Sequence, residues 1–189
     1  MGEDLWNQYH EPEKEDPVDE GIHDFTVDRI IDLSQDSILL AFTVSGHGIA
    51  QRIYFDSKRC TMAKYLLISV GLLKKVNSGW LTSELANTVG RSGRCIVGMY
   101  NNNTENNIET FLAPWCDEKE QWWKYQILKR AGKKCEACGA PGFDAHHLKP
   151  KSVYPEEMYD INNGQCLCRE CHTKWHNMNG TMAIGGPGR

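Results

Sequence analysis

Apolar and polar positions alternate over several short stretches in the first two-thirds of this chain. Phe25 to Asp32 and Ser37 to Val44 are strand-like, with Ser34-Gln35-Asp36 between them as a turn. Gln51 to Asp56 predicts a third strand, with Ile53 and Phe55 on one face and Arg52 and Tyr54 on the other. The period then changes. Met62, Tyr65, Leu66, Val70 and Leu73 follow helical spacing, so Thr61 to Val76 predicts a helix, and Lys74 and Lys75 sit where its dipole favours cations. Arg94 to Tyr100 and Asn107 to Leu112 predict two more strands, joined by an Asn-rich turn over 101–107. A second helix is predicted over Asp117 to Ala131, acidic at its start, basic at its end and stopped by Gly132.

Three strands, a helix and two strands follow the order of an OB-like five-stranded barrel. The segment 22–115 resembles small phage-encoded single-strand-binding proteins with OB-like folds. The likeness lies in that order, in Gly90-Arg91 and Arg94-Cys95-Ile96-Val97 at the fourth strand, and in the closing run from Asn107 to Pro114. It implies a surface that stacks bases and tracks a backbone, with Arg52, Tyr54, Trp80 and Arg94 as contacts.

Charge changes this picture. The 189 residues carry a formal net charge of −4, which argues against a nucleic-acid binder until its distribution is read. Residues 1–20 hold eight acids against Lys14, a net −7; 21–120 is −1; 121–189 is +4. The chain is thus an acidic tail, a near-neutral middle and a basic C-terminal part, and the near-neutral middle weakens the single-strand groove, which is usually basic. The acidic segment reads as a disordered solubilising tail, or as a partner-binding or DNA-mimicking peptide anchored by Trp6 and Tyr9. It lacks a basic-then-apolar pattern, and no apolar run reaches membrane-spanning length, so neither a secretory leader nor a membrane partner is expected. The expected location is the cytoplasm, of a bacterial host if the chain is phage-encoded.

The cysteines hold the first candidate chemistry. Of eight, Cys135/Cys138 and Cys168/Cys171 form two C-x-x-C pairs separated by 29 residues. Two such pairs supply four thiolates to one tetrahedral zinc and leave no open coordination position, so the site is structural. Zinc would replace an apolar core that so short a segment cannot build. Cys166 has the wrong spacing for a ligand. Four of the seven histidines lie in the same third: His146, His147, His172 and His176. His172 and His176 are one helical turn apart and share a face, which suits two ligands of one ion. His146 and His147, if extended, face opposite ways, so one can bind a metal while the other reaches a different atom of the same reaction.

Residues 121–176 resemble an HNH endonuclease domain of the zinc-stapled ββα-metal type. The elements that carry the likeness are the lead-in helix before Cys135-Glu136-Ala137-Cys138, His146-His147-Leu148-Lys149-Pro150, Asn163 to Cys168, and Cys171-His172 to His176. The resemblance implies that His147 is the general base, that His146 is the first ligand of a catalytic ion, and that His172 and His176 supply others. Asn163 either orients the base or joins the metal shell; orientation is the favoured reading. The ion would be Mn²⁺, Ni²⁺, Co²⁺ or Zn²⁺ with three imidazoles, or Mg²⁺ if only His146 and His172 bind. Lys149, Lys151, Arg169 and Lys174 would hold flanking phosphates. Gly164 departs from the family, which usually has an aliphatic residue after the Asn, and local repacking is expected from it.

The expected class is α+β: a small β-barrel-like, OB-like domain (22–115) between an acidic tail (1–20) and a zinc-stapled HNH domain (117–179), with a flexible end (180–189). The expected function is metal-dependent DNA endonuclease, with a structural Zn²⁺ and one catalytic divalent ion, nicking or structure-directed, acting on double-stranded, single-stranded or branched DNA, with the first domain directing it to single strands or branches. Two other readings remain: a non-catalytic zinc-stapled nucleic-acid-binding module, and an adaptor for a replication, recombination or packaging protein.

Overall fold

The computed structural model describes residues 17–56, 58–73, 85–100 and 105–178. Trp6, Tyr9, Lys74, Lys75, Val76, Trp80, most of the 101–107 turn and the end 180–189 lie outside them. The chain divides into two compact units, Met1–Cys116 and Asp117–Arg189.

The first unit is a five-stranded antiparallel sheet of order β3-β2-β1-β4-β5. Its strands are β1 (Gly21–Leu33), β2 (Ser37–Val44), β3 (His47–Tyr54), β4 (Ser92–Tyr100) and β5 (Glu105–Leu112). Strand β1 is long enough to pair with both neighbours: Gly21 to Thr26 on β4 and Phe25 to Leu33 on β2. Two register shifts, between Val27 and Arg29 and between Ile30 and Asp32, bend it, because an extra residue in one strand increases local twist. The sheet thereby curls into a half-barrel, and its edge strands β3 and β5 approach one another. Alternation in β2 buries Ile38, Leu40, Phe42 and Val44, each fully. Phe25, Phe42 and Phe111 meet inside at centroid distances of 5.1–5.7 Å.

Two expected boundaries differ. Strand β3 begins at His47, not Gln51, because Ser45 (φ 48°) and Gly46 (φ 90°) close a two-residue hairpin directly after β2. Positive φ at both central residues matches the twist of paired strands, and glycine adopts it without strain. Helix α1 spans Thr61–Ser69 and stops short of Val76, where Gly71 turns the backbone at φ 76°. Of the expected face, Leu66, Val70 and Leu73 are buried and Met62 packs against the core, whereas Tyr65 is exposed and Ala63 and Leu67 are buried beside them. α1 packs on β5.

The second unit contains α2 (Glu118–Arg130), a two-stranded antiparallel ribbon β6 (Asp144–His147) and β7 (Gly164–Leu167), and α3 (Arg169–Met178). Asp117 caps α2 by accepting from the Glu120 N–H at 3.1 Å. Trp123 and Ile127, one turn apart, are buried with Cys166 in a core that Leu128, Ala145, Tyr159 and Ile161 border. Among the described residues, no helix is long and apolar enough to cross a membrane.

Candidate active site

The two C-x-x-C pairs converge. Cys135 and Cys138 occupy a turn in which Cys135 N–H donates to Ala140 O (2.7 Å) and Gly139 N–H to Cys135 O (2.8 Å). Cys168 and Cys171 flank the start of α3. All four sulfurs lie within 4.8 Å of one another, and those of Cys138 and Cys168 are 3.7 Å apart. A tetrahedron with zinc–sulfur bonds of about 2.3 Å has edges of about 3.8 Å, so the donor set and spacing fit zinc. The backbone N–H of Cys168, with others of the turn, pulls the Cys135 thiol down to about 6. Hydrogen bonds with Cys138 and Cys168 push the Cys171 thiol up to about 12. A bound zinc would hold all four sulfurs as thiolates.

A second cluster lies beside it. His146 of β6 meets His172 and His176 of α3, with their ligating nitrogens within 4.8 Å of one another. The His172 and His176 Nε2 atoms are 3.0 Å apart. His146 is buried, and its Nε2 has no hydrogen-bond partner. Leaving a buried polar atom unpaired costs about 1–3 kcal/mol, and a metal bond would remove that cost. Burial, then the neighbouring His172 and His176, push the His146 imidazole down to about 4, so it is neutral at pH 7 with its lone pair free. His172 Nδ1 lies 3.3 Å from Asp144 Oδ2. The carboxylate accepts there, which directs the Nε2 lone pair at the cluster. Carboxylates behind ligating histidines in this way raise metal affinity. The residues fit a divalent ion of the imidazole-binding kind.

His147 faces the other side of β6. Its Nε2 lies 2.8 Å from Met158 O. A carbonyl only accepts, so Nε2 carries the proton and Nδ1 holds the lone pair in the neutral ring. The imidazole stacks on the Trp123 indole at 4.0 Å and 11°. Asn163 is buried under the loop after His147. Its Oδ1 accepts from Lys149 N–H (2.7 Å), and its Nδ2 donates to Lys149 O (3.2 Å) and Glu157 O (3.1 Å).

Residues 135–178 match the HNH endonuclease family model. No curated protein matches the chain. The matched HNH domain therefore contains both clusters, His147 and Asn163, whereas α2 precedes it.

The departure at Gly164 has a steric reason. A Cβ there would clash with Ile127 Cδ1 and stand 2.8 Å from Trp123 Cζ2. These α2 side chains already fill the space that an aliphatic residue would take. Gly164→Val is expected to destabilise the second unit by roughly 1–3 kcal/mol through overpacking. Urea unfolding at constant zinc content measures this, and an unchanged midpoint would contradict it.

The basic residues expected to hold phosphates are placed differently from one another. Lys149 pairs with Glu157 at 2.7 Å and Lys151 with Glu120 at 3.5 Å. Arg169 and Lys174 are exposed on α3. In the first unit Arg52 pairs with Asp32 at 2.9 Å, the Arg59 guanidinium sits 3.9 Å over the Tyr54 ring, and Arg94 lies 3.3 Å from Asp24. The structure also brings in residues that the sequence reading did not single out. Asp144 stands two positions before His146 on a strand, a spacing that puts both on one face. The Arg130 guanidinium donates to Ile161 O and Gly164 O, each at 2.7 Å, and ties the end of α2 to β7. Asp144→Ala is expected to weaken divalent-ion binding at the histidine cluster by roughly 10–100-fold. Calorimetric titration with Mn²⁺ measures this, and equal affinity would remove the role given to the carboxylate.

Proposed function

We propose that this protein is a metal-dependent DNA endonuclease that nicks through its HNH domain. The observation that carries the reading is the meeting of His146, whose buried Nε2 is unpaired, with His172 and His176 beside a four-cysteine cluster. Cys135, Cys138, Cys168 and Cys171 hold a structural Zn²⁺. His146, His172 and His176 hold the catalytic ion: Mn²⁺, Ni²⁺, Co²⁺, Zn²⁺ or, with fewer imidazoles bound, Mg²⁺. When bound, that ion supplies Lewis-acid stabilisation at the scissile phosphate and the leaving 3′ oxygen.

His147 takes the proton of the attacking water at Nδ1 while Met158 O retains the proton at Nε2. Asn163 orients this base indirectly, because its three hydrogen bonds fix the loop between Lys149 and Glu157, next to Met158. Lys149 and Lys151 exchange Glu157 and Glu120 for phosphate oxygens when DNA binds, and Arg169 and Lys174 extend the contact from α3. A chain with one such site nicks, and a double-strand cut takes two encounters.

For the first unit we propose an OB-like, single-strand or branch-directing role. The sheet order and the position of α1 between β3 and β4 support it. The acids already paired with Arg52 and Arg94 favour a second reading of this unit, as the seat of a replication, recombination or packaging protein.

The test uses the whole chain on supercoiled plasmid, single strands and branched duplexes, with Mn²⁺, Ni²⁺, Co²⁺, Zn²⁺, Mg²⁺ or EDTA. Nicks with a divalent ion and none with EDTA are expected. No cleavage of any substrate with any ion would overturn the enzyme reading in favour of a zinc-stapled binding module.

A further inference from the structure

We propose that Trp123, on the lead-in helix α2, is the positioning residue that sets the plane of the His147 imidazole. The inference rests on the reading of His147 as the base and goes beyond the matched HNH segment, because Trp123 lies outside residues 135–178.

A base must present one lone pair in one direction. The hydrogen bond from Nε2 to Met158 O fixes the tautomer, but a single bond leaves the ring free to swing about the N–H···O axis. A second constraint of another kind is needed. Trp123 provides it through face-to-face contact at 4.0 Å and 11°, which opposes any rotation that would tilt the imidazole. The indole is itself immobile. It is 1% exposed, its Nε1–H donates to Asp160 O at 2.9 Å, and the site of Gly164 is open so that the ring can lie there. Gly164 is also the residue paired with His147 across the ribbon. The glycine, the indole and the imidazole therefore form one stacked unit, and the glycine's missing side chain is what lets α2 come so close. The opposite ring, His146, is held from α3 by an edge contact with Trp175 at 4.1 Å. Each of the two adjacent histidines thus has its own tryptophan from its own helix.

Three full-length variants test this: Trp123→Leu, Trp123→Phe and, as a control that trims the same core one turn along α2, Ile127→Val. Zinc content and circular dichroism establish folding. Trp123→Leu is expected to lower kcat for plasmid nicking by roughly 10–100-fold with KM unchanged. Trp123→Phe, which keeps an aromatic face, recovers most of that loss, and Ile127→Val stays near wild type. A second readout needs no Trp123 variant. The carbon-bound ring protons of His147, assigned by their disappearance in His147→Ala, should resonate upfield of ordinary imidazole in the wild type because they lie over the indole. Ordinary positions would overturn the stack even if Trp123→Leu failed to fold. A folded Trp123→Leu chain that nicks at the wild-type rate, or loses no more than Ile127→Val, would overturn the positioning role alone. A wild type that cleaves nothing would overturn the nuclease reading and the catalytic part of this proposal together.

Discussion

His147→Ala is expected to slow plasmid nicking by roughly 10²–10⁴-fold, the usual worth of a positioned general base. The size of the effect follows from what surrounds the ring. Met158 O accepts from Nε2–H, so the basic atom is Nδ1, which holds the lone pair of the neutral ring. The substitution removes the base without touching either cluster, as His147 faces α2 and His146 faces α3. Zinc content and the affinity for a divalent ion should therefore stay as in the wild type. A variant that keeps both metals and nicks at the wild-type rate would remove His147 from the mechanism.

Loss of the zinc proposed at the four-cysteine cluster should have the largest effect on stability. Among the described residues, the buried cluster of the second unit is Trp123, Ile127 and Cys166. Binding on the order of 10–16 kcal/mol at a four-ligand zinc site exceeds what such a core can contribute. Cys168→Ser, or a chelator strong enough to strip the site, is expected to unfold the second unit. The first unit has its own core around Phe25, Phe42 and Phe111 and should remain folded. Limited proteolysis followed by mass spectrometry reads this directly: cuts should appear within 117–178, while 21–56 stays protected. Zinc-free protein that resists cleavage in the second unit would contradict the account.

What could be read in advance depended on how local the cause was. Strand β2 was legible because its period of two and its burial come from one continuous segment. The start of β3 was not, because Gly46 and Gly48 look alike as turn signals, and only the paired register shows that Ser45–Gly46 makes the turn. The helical spacing of Met62, Leu66, Val70 and Leu73 marked the buried side of α1, and only Tyr65 at its margin is exposed. The cysteine pairs and the His172/His176 spacing were legible from helix and turn geometry, and the structure brings both groups together. The Trp123 stack, the Asp144 carboxylate and the Glu157 and Glu120 partners of Lys149 and Lys151 were not, since each depends on how separate elements dock. Gly164 stood out in the sequence, but its reason lies in the Ile127 and Trp123 side chains that occupy its place.

The central claim is that one chain combines a closed zinc staple with a separate, exchangeable catalytic ion. Its most direct test is nicking of supercoiled plasmid by protein that retains its zinc after mild EDTA treatment, before and after Mn²⁺ is added. The account predicts no open circles before addition and open circles after it, at constant zinc. Equal nicking in both conditions, or none in either on plasmid, single strands and branched DNA, would contradict it.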